Sequence, residues 1–150
     1  MTPITERREP GRMPPEGQPL QENELDIQQR IDTLAEAIRN KNLDQVMAHY
    51  APELVAYDLM PPLELRGIAA YRKNFQKWFA SMTGRISYEM MDLHISASDT
   101  HAFVHCVSHV TGGRSGGGRA DYWVRVSSGW RKLHGEWLVS HEHISMPTML

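Results

Sequence analysis

The stretch DYWVRVSSGWRKLHGEWLVSHEHISMP (121–147) is the most informative part of the sequence, because each of its halves has the pattern of a β-strand. Valine, tryptophan and other strand-favouring residues occur throughout both halves. Between the halves, His134-Gly135 suits a two-residue hairpin turn with glycine at positive φ. We therefore predict a pair of antiparallel strands over about 120–133 and 136–146.

Two more strands are predicted upstream, over about 86–97 and 101–111. The segment GGRSGGG (112–118) has the composition of a hairpin tip between the second and third of the four strands. It lacks the Gly-Lys-Ser/Thr end of a phosphate-binding loop. The four strands predict an antiparallel meander at the C-terminal end of the chain.

The segment before the meander has the periodicity of helices. An apolar stripe from Ile27 to Ile38 recurs every three or four residues, and Asn23 precedes it as a candidate N-cap. A short second stripe over 43–50 predicts another helix, which Pro52 ends.

A strand over 53–60 and a third helix opened by Gly67 complete the pattern. The apolar side of this helix consists of Tyr71, Phe75, Trp78, Phe79 and Met82, with Lys73, Gln76 and Lys77 expected on the other side. Helices come first and a meander comes last, which predicts the α+β class. We expect three N-terminal helices packed on a strongly curved, mainly antiparallel sheet that forms a cone.

Composition excludes several classes of protein. Lys+Arg is 16 and Asp+Glu is 18, so the net charge of −2 lacks the basic surplus of a nucleic-acid reader. No apolar run reaches the ~20 residues of a membrane span. Cys106 is the only cysteine, which indicates a reducing, cytoplasmic location. Residues 1–22 are rich in proline and poor in apolar side chains, so we expect a flexible arm before one domain over 23–150.

Three stretches of the chain resemble SnoaL-like and ketosteroid-isomerase-like proteins of the nuclear-transport-factor-2-like (NTF2-like) superfamily. They are LDQVMAHYAPELVAYD (43–58), YDLMPPLELRG (57–67) leading into YRKNFQKWF (71–79), and 121–147. The resemblance covers about residues 25–147 and implies the cone-shaped NTF2-like fold. It also implies a homodimer, formed through an exposed sheet face that carries valine and tryptophan.

Asp58 is the first candidate for catalysis. It lies nine residues before Gly67, and the resemblance gives this spacing to the carboxylate general base of the ketosteroid isomerases. A carboxylate enclosed by apolar side chains is suited to proton transfer. The alternative is a structural acid that accepts hydrogen bonds from backbone amides around Pro61-Pro62.

The oxyanion hole of the ketosteroid isomerases is not matched by this sequence. The resemblance places Leu34 where those enzymes have a tyrosine, and Ser127 and Ser128 where they have an aspartate. Developing enolate charge would lose much of its stabilisation without these donors. We therefore exclude Δ5-3-ketosteroid isomerisation itself.

His141 and His143 are the second candidates, because residues two apart on a strand share a face. Counting outward from the predicted turn pairs His141 with Ser128 and His143 with Val126. Both imidazoles are then expected to point into the cone, where one could act as acid or base beside Asp58. The alternative is a pair of core histidines bonded to backbone carbonyls, and a one-residue bulge would reverse the face.

The pocket is expected to be lined by Trp78, with Tyr57, His105, Trp123 and Arg125 as further candidates. The same register places Trp123 and Arg125 on the strand face opposite to the histidine pair. Arg125 is then near Glu142, as an ion pair, a dimer contact or a group that binds an anionic substrate. The His-x-His pair could bind a metal ion with a third ligand from His105 or Asp58. The families that the chain resembles mostly work without metal, so we expect no metal and no cofactor.

Two functions follow from these observations, and the sequence leaves open whether the chain is an enzyme. The first is a small-molecule pocket protein with cofactor-free acid–base catalysis on an apolar, polyketide-like carbonyl compound. Its reaction would be of the isomerase, cyclase or dehydratase type, with Asp58 as base and His141 or His143 as partner. The alternative is a non-catalytic module of the same fold that binds a ligand or another protein.

Overall fold

The computed structural model describes residues 21–150. The elements are α1 (Glu22–Arg39), α2 (Leu43–Met47), β1 (Tyr50–Tyr57), β2 (Leu65–Arg66), α3 (Ile68–Ser81), β3 (Met82–Ala97), β4 (His101–Arg114), β5 (Arg119–Leu133) and β6 (Glu136–Ser145). This order confirms the predicted α+β class. The predicted arm over 1–22 lies outside the described residues, apart from Gln21 and Glu22, and stays a prediction.

One six-stranded sheet runs in the order β2-β1-β6-β5-β4-β3. All neighbouring strands are antiparallel except β1 and β6, which are parallel. The mainly antiparallel sheet is therefore confirmed. The helices cover its concave face, and no helix within residues 21–150 is long and apolar enough to cross a membrane.

The first helix begins slightly earlier than predicted. Its N-cap is Gln21, whose backbone N–H donates to the Glu24 carboxylate at 3.1 Å. Asn23 is therefore not the cap, and its side chain donates instead to the backbone oxygen of Ser98 at 3.3 Å. The predicted apolar stripe is buried from Ile27 to Ile38, which fixes α1 on the sheet.

The second helix ends earlier than predicted, and the first strand begins and ends earlier than predicted. The helix ends at Met47, and Tyr50 already belongs to β1, where it lies opposite Val139 of β6. The strand ends at Tyr57 instead of Met60. Residues 58–64 form a loop, which agrees with the inability of Pro61-Pro62 to donate hydrogen bonds to a ladder.

The hairpin of β5 and β6 has the predicted turn but not the predicted register. His134 and Gly135 have φ of 50° and 79°, and Leu133 lies opposite Glu136 as expected. Farther along, Val139 lies opposite Trp130 while His141 lies opposite Gly129, so Ser140 is an extra residue in β6. This bulge shifts the register by one residue and changes which side chains point into the cone.

Candidate functional site

A cavity of about 690 Å³ lies between the helices and the concave face of the sheet. Its walls are mostly apolar and come from α1, α3 and the inward side chains of the strands, with Leu34, Ile38, Trp78, Val104, Val126 and Trp130 among them. The exposed residues of the lining define its mouth: the loop over 59–62, and Lys73, Lys77 and Ser81 of α3. A cavity of this size and polarity suits a small apolar ligand.

A buried polar cluster forms part of this apolar wall. The Tyr50 hydroxyl donates to both carboxylate oxygens of Glu142, at 3.0 and 3.2 Å. The Tyr71 hydroxyl, from α3, donates to the same carboxylate. Tyr50 and Glu142 line the cavity, and all three side chains are buried. Three elements of the fold therefore bring one acid and two phenols together.

Burial raises the pKa of the Glu142 carboxyl to about 7. Hydrogen bonds from Tyr71 and Tyr50 offset part of this increase in the pKa, and the nearby charge of Asp58 adds to it. Burial, together with the charge of Glu142, raises the pKa of both tyrosines well above the usual value, so they remain donors. Near neutral pH, Glu142 can therefore both give and accept a proton.

Asp58 lines the same cavity, at the point where β1 ends. Its Oδ2 accepts a hydrogen bond from Asn74 Nδ2 of α3 at 2.6 Å, and its Oδ1 accepts one from the backbone N–H of Leu59 at 2.7 Å. The side chains of Asp58 and Asn74 are half-buried. Two carboxyl groups in different surroundings thus face one apolar space.

The bulge at Ser140 moves the two predicted histidines to the other side of the sheet. His141 lies opposite Gly129 and His143 opposite Ser127, so the predicted partners Ser128 and Val126 are wrong. Neither ring lines the cavity, and Glu142 between them points inward instead. His141 Nδ1 lies 2.7 Å from the backbone oxygen of Val55, and both rings pack edge-on against Tyr57, with centroids 4.8 and 5.4 Å away.

The other predicted lining residues divide between the two faces of the sheet. Trp78 lines the cavity, whereas Tyr57, His105, Trp123 and Arg125 do not. Trp123 stacks on His109 at 4.4 Å between ring centroids, and His105 stacks on His94 at 4.7 Å. We call this second surface the convex face; its side chains include Tyr57, Phe103, His105, Trp123, Arg125 and His143.

The expected proximity of Arg125 to Glu142 is also wrong. Arg125 Nε donates to the Ser145 hydroxyl at 3.2 Å, and Glu142 lies on the concave side. The expectation that Arg125 and Trp123 lie opposite to the histidine pair fails for the same reason, since all four now share the convex face. The physical cause is the single extra residue in β6.

No group of three or more histidine, cysteine, aspartate or glutamate side chains within residues 21–150 is arranged to hold a metal ion. Cys106 lines the cavity, but burial raises the pKa of its thiol to about 11. A protonated thiol is a poor nucleophile. The carboxyl groups Asp58 and Glu142 are the acids of the described lining.

Glu142, Tyr50, Tyr71 and Asn74 are the site residues that sequence reasoning missed. One signal of Glu142 was present: the apolar positions of β6 change parity, from Trp137 and Val139 to Ile144. Such a change indicates a bulge between them and an inward Glu142. Nothing in the sequence alone indicated that Tyr50 and Tyr71 meet at this carboxylate.

The comparison with known families now defines the class of this protein. The family model of the SnoaL-like domain matches residues 27–149, so the chain belongs to the SnoaL-like domain family. A solved NTF2-like protein of unknown function from Pseudomonas putida KT2440 is 27% identical with a TM-score of 0.77, covering 85% of this chain and 89% of its own. No curated protein is significantly similar in sequence.

Two further solved structures share the fold at lower identity. A candidate scytalone dehydratase from Novosphingobium aromaticivorans is 16% identical with a TM-score of 0.73, and the match covers 83% of each chain. The association domain of C. elegans CaMKII is 19% identical with a TM-score of 0.67, covering 83% of this chain and 95% of its own. At these identities the likeness shows the fold alone, and one fold can host unrelated functions.

Proposed function

We propose that the chain binds a small apolar carbonyl compound in its cavity and catalyses proton transfer on it without a cofactor. The observation that carries this proposal is the pair of carboxyl groups, Asp58 and Glu142, that face one apolar cavity from different surroundings. Pairs of titratable groups whose surroundings differ in this way are typical of acid and base partners. The naming of one structural neighbour as a candidate dehydratase agrees with chemistry of this type.

Asp58 acts as the base in this proposal, as the sequence predicts. Its carboxylate removes a proton from the carbon next to the carbonyl group, and the C–H electron pair moves into the new C=C bond. The carbonyl oxygen takes a proton from Glu142, which gives the enol. Asn74, through its hydrogen bond to Oδ2, positions the Asp58 carboxylate.

Glu142 takes the place that the sequence assigns to His141 or His143. This choice is supported by the lining of the cavity, which includes Glu142 and neither imidazole. Tyr50 and Tyr71 hold the Glu142 carboxyl in place and stabilise its charge after the proton has left. From the enol, return of the proton from Asp58 to a different carbon gives isomerisation. In dehydration, a hydroxyl group on the next carbon takes the proton from Asp58 and leaves as water, while the enol returns its O–H proton to Glu142.

The test uses a ketone that enolises readily, because the natural substrate is not identified. The α-hydrogens of 2-tetralone exchange with deuterated solvent, and NMR follows the rate. We expect the wild-type chain to accelerate exchange and Asp58→Asn to lose most of the acceleration, by roughly 10²-fold or more. Asp121→Asn, which removes an exposed carboxylate outside the cavity, is the matched control. A wild-type rate equal to that of buffer would contradict the proposal.

The second candidate is a binding module without chemistry. It is favoured by one observation: both Asp58 oxygens already accept hydrogen bonds, from Asn74 and from the Leu59 backbone. In that case Asp58 has a structural role and the cavity only holds its ligand. Binding of 2-tetralone by both the wild type and Asp58→Asn, with no exchange in either, would favour this candidate.

We also propose that a second copy of the chain covers the convex face. Phe103 and Trp123 are 54% and 45% exposed there, and exposed apolar patches are typical of protein–protein interaction sites. The likeness to an association domain supports assembly through this fold. A cytoplasmic location, which the single cysteine indicates, stays a prediction.

A further inference from the structure

The mouth of the cavity is positively charged on one side. Lys73 and Lys77 lie four residues apart on α3, on the stripe that also carries Asn74, Trp78 and Ser81, and all five line the cavity. The predicted position of these lysines, on the side of the helix opposite to Trp78, is therefore wrong. Residues four apart on a helix are neighbours, about 6 Å apart, so both ammonium groups can reach one anion.

The ion pairs around the mouth leave these two lysines available. Arg72 pairs with Asp44, and Arg66 pairs with Glu64 at 2.9 Å. Lys73 and Lys77 form no ion pair with any acid among residues 21–150. Of the two carboxyl groups in the lining, Asp58 accepts its hydrogen bonds from Asn74 and a backbone amide, and Glu142 accepts its hydrogen bonds from two tyrosine hydroxyls.

We propose that the ligand of this cavity is an amphipathic anion, with an apolar body inside and a carboxylate-like group held at the mouth by Lys73 and Lys77. This inference rests on the proposed function, since it assumes that the cavity binds a small apolar molecule. It adds a direction: the anionic end faces Lys73 and Lys77, and the carbonyl end faces Glu142. Cationic groups beside low-dielectric walls attract such an anion more strongly than the same groups in open solvent.

A pair of fluorescent probes separates the charge from the apolar body. N-phenyl-1-naphthylamine is neutral, and 1-anilinonaphthalene-8-sulfonate has the same ring system with one sulfonate. We expect both probes to bind the wild type and the anionic probe to displace the neutral one. Lys73→Gln and Lys77→Gln should each weaken the anionic probe by roughly three- to tenfold, and 0.5 M NaCl should weaken it in the wild type. The affinity of the neutral probe should stay within about twofold.

Lys132→Gln is the matched control, because Lys132 does not line the cavity and its Nζ donates a hydrogen bond to Asn23 Oδ1. Both cavity lysines are exposed, so their variants are expected to fold, which thermal unfolding verifies. Three results would overturn the inference. The neutral probe binds, but the affinity of the anionic probe is the same in the wild type and both lysine variants. The anionic probe does not displace the neutral one, or Lys132→Gln weakens the anionic probe as much as Lys73→Gln and Lys77→Gln do. In these cases the proposed binding of a small apolar molecule in the cavity is not contradicted. If neither probe binds, both proposals fall.

Discussion

The hydroxyl group of Tyr50, on β1, donates to both carboxylate oxygens of Glu142, on the neighbouring parallel strand β6. This contact exists because the bulge at Ser140 turns Glu142 inward and the parallel pairing brings β1 beside it. The Tyr71 hydroxyl donates to the same carboxylate. Hydrogen bonds from two phenols therefore stabilise the charged form of this buried acid.

The first prediction concerns stability against pH. The pKa of Glu142 is about 7 in the folded chain against an ordinary 4.5, so the folded state binds more protons between these values. The free energy of unfolding therefore falls as pH rises through this window, by on the order of 3 kcal/mol from this group. Urea unfolding at pH 5 to 8 should show a flatter dependence for Glu142→Gln than for the wild type.

Glu136→Gln is the control for that comparison, because Glu136 is exposed at the start of the same strand. Its stability should follow the pH dependence of the wild type. An identical slope in the wild type and Glu142→Gln would show that Glu142 does not titrate in this window.

The second prediction concerns Tyr50. Its hydrogen bonds lower the pKa of Glu142, so Tyr50→Phe should raise that pKa above 7 and move the stability change to higher pH. Loss of a hydrogen bond to a charged group should also cost about 1–3 kcal/mol at pH 8. Urea unfolding against pH measures both effects. Tyr122→Phe removes a hydroxyl from another part of the same cavity and should leave the pH of the stability change where it is in the wild type.

The third prediction concerns Asn74, which we regard as a positioning residue. Asn74→Ala removes the hydrogen bond to Asp58 Oδ2 and should lower kcat for 2-tetralone exchange by roughly tenfold, with KM little changed. Gln76→Ala, on the exposed side of the same helix, should leave both constants unchanged. An equal loss in the two variants would mean that destabilisation of α3, not positioning of Asp58, causes the effect.

The fourth prediction concerns assembly. Trp123→Glu places a charge on the convex face, which should convert a dimer to a monomer in light scattering coupled to size-exclusion chromatography. Met60→Glu is the control, because Met60 is 70% exposed but belongs to the cavity mouth. A wild-type chain that is already monomeric would refute the proposed dimer.

The fold was predictable from the sequence because its signals are local and repeated. The stripe from Ile27 to Ile38, the glycine that opens α3 and the His134-Gly135 turn all indicated their elements correctly. Asp58 and Trp78, both expected at the pocket, are part of its lining.

The face of β6 was not predictable by counting from the turn, because one added residue reverses every side chain beyond it. That single residue, Ser140, exchanged His141 and His143 for Glu142 in the cavity wall. The meeting of Tyr50, Tyr71 and Glu142 joins residues up to 92 positions apart, and it depends on the packing of three elements that local patterns do not encode.

The pH dependence of 2-tetralone exchange shows whether Glu142 takes part in the proton transfer. If protonated Glu142 supplies the proton, kcat/KM should fall as pH rises through about 7. In Glu142→Gln the remaining activity should be lower and should lack this decline. A decline at the same pH in both proteins, or no decline in the wild type up to pH 9, would contradict the assignment of Glu142 as the acid.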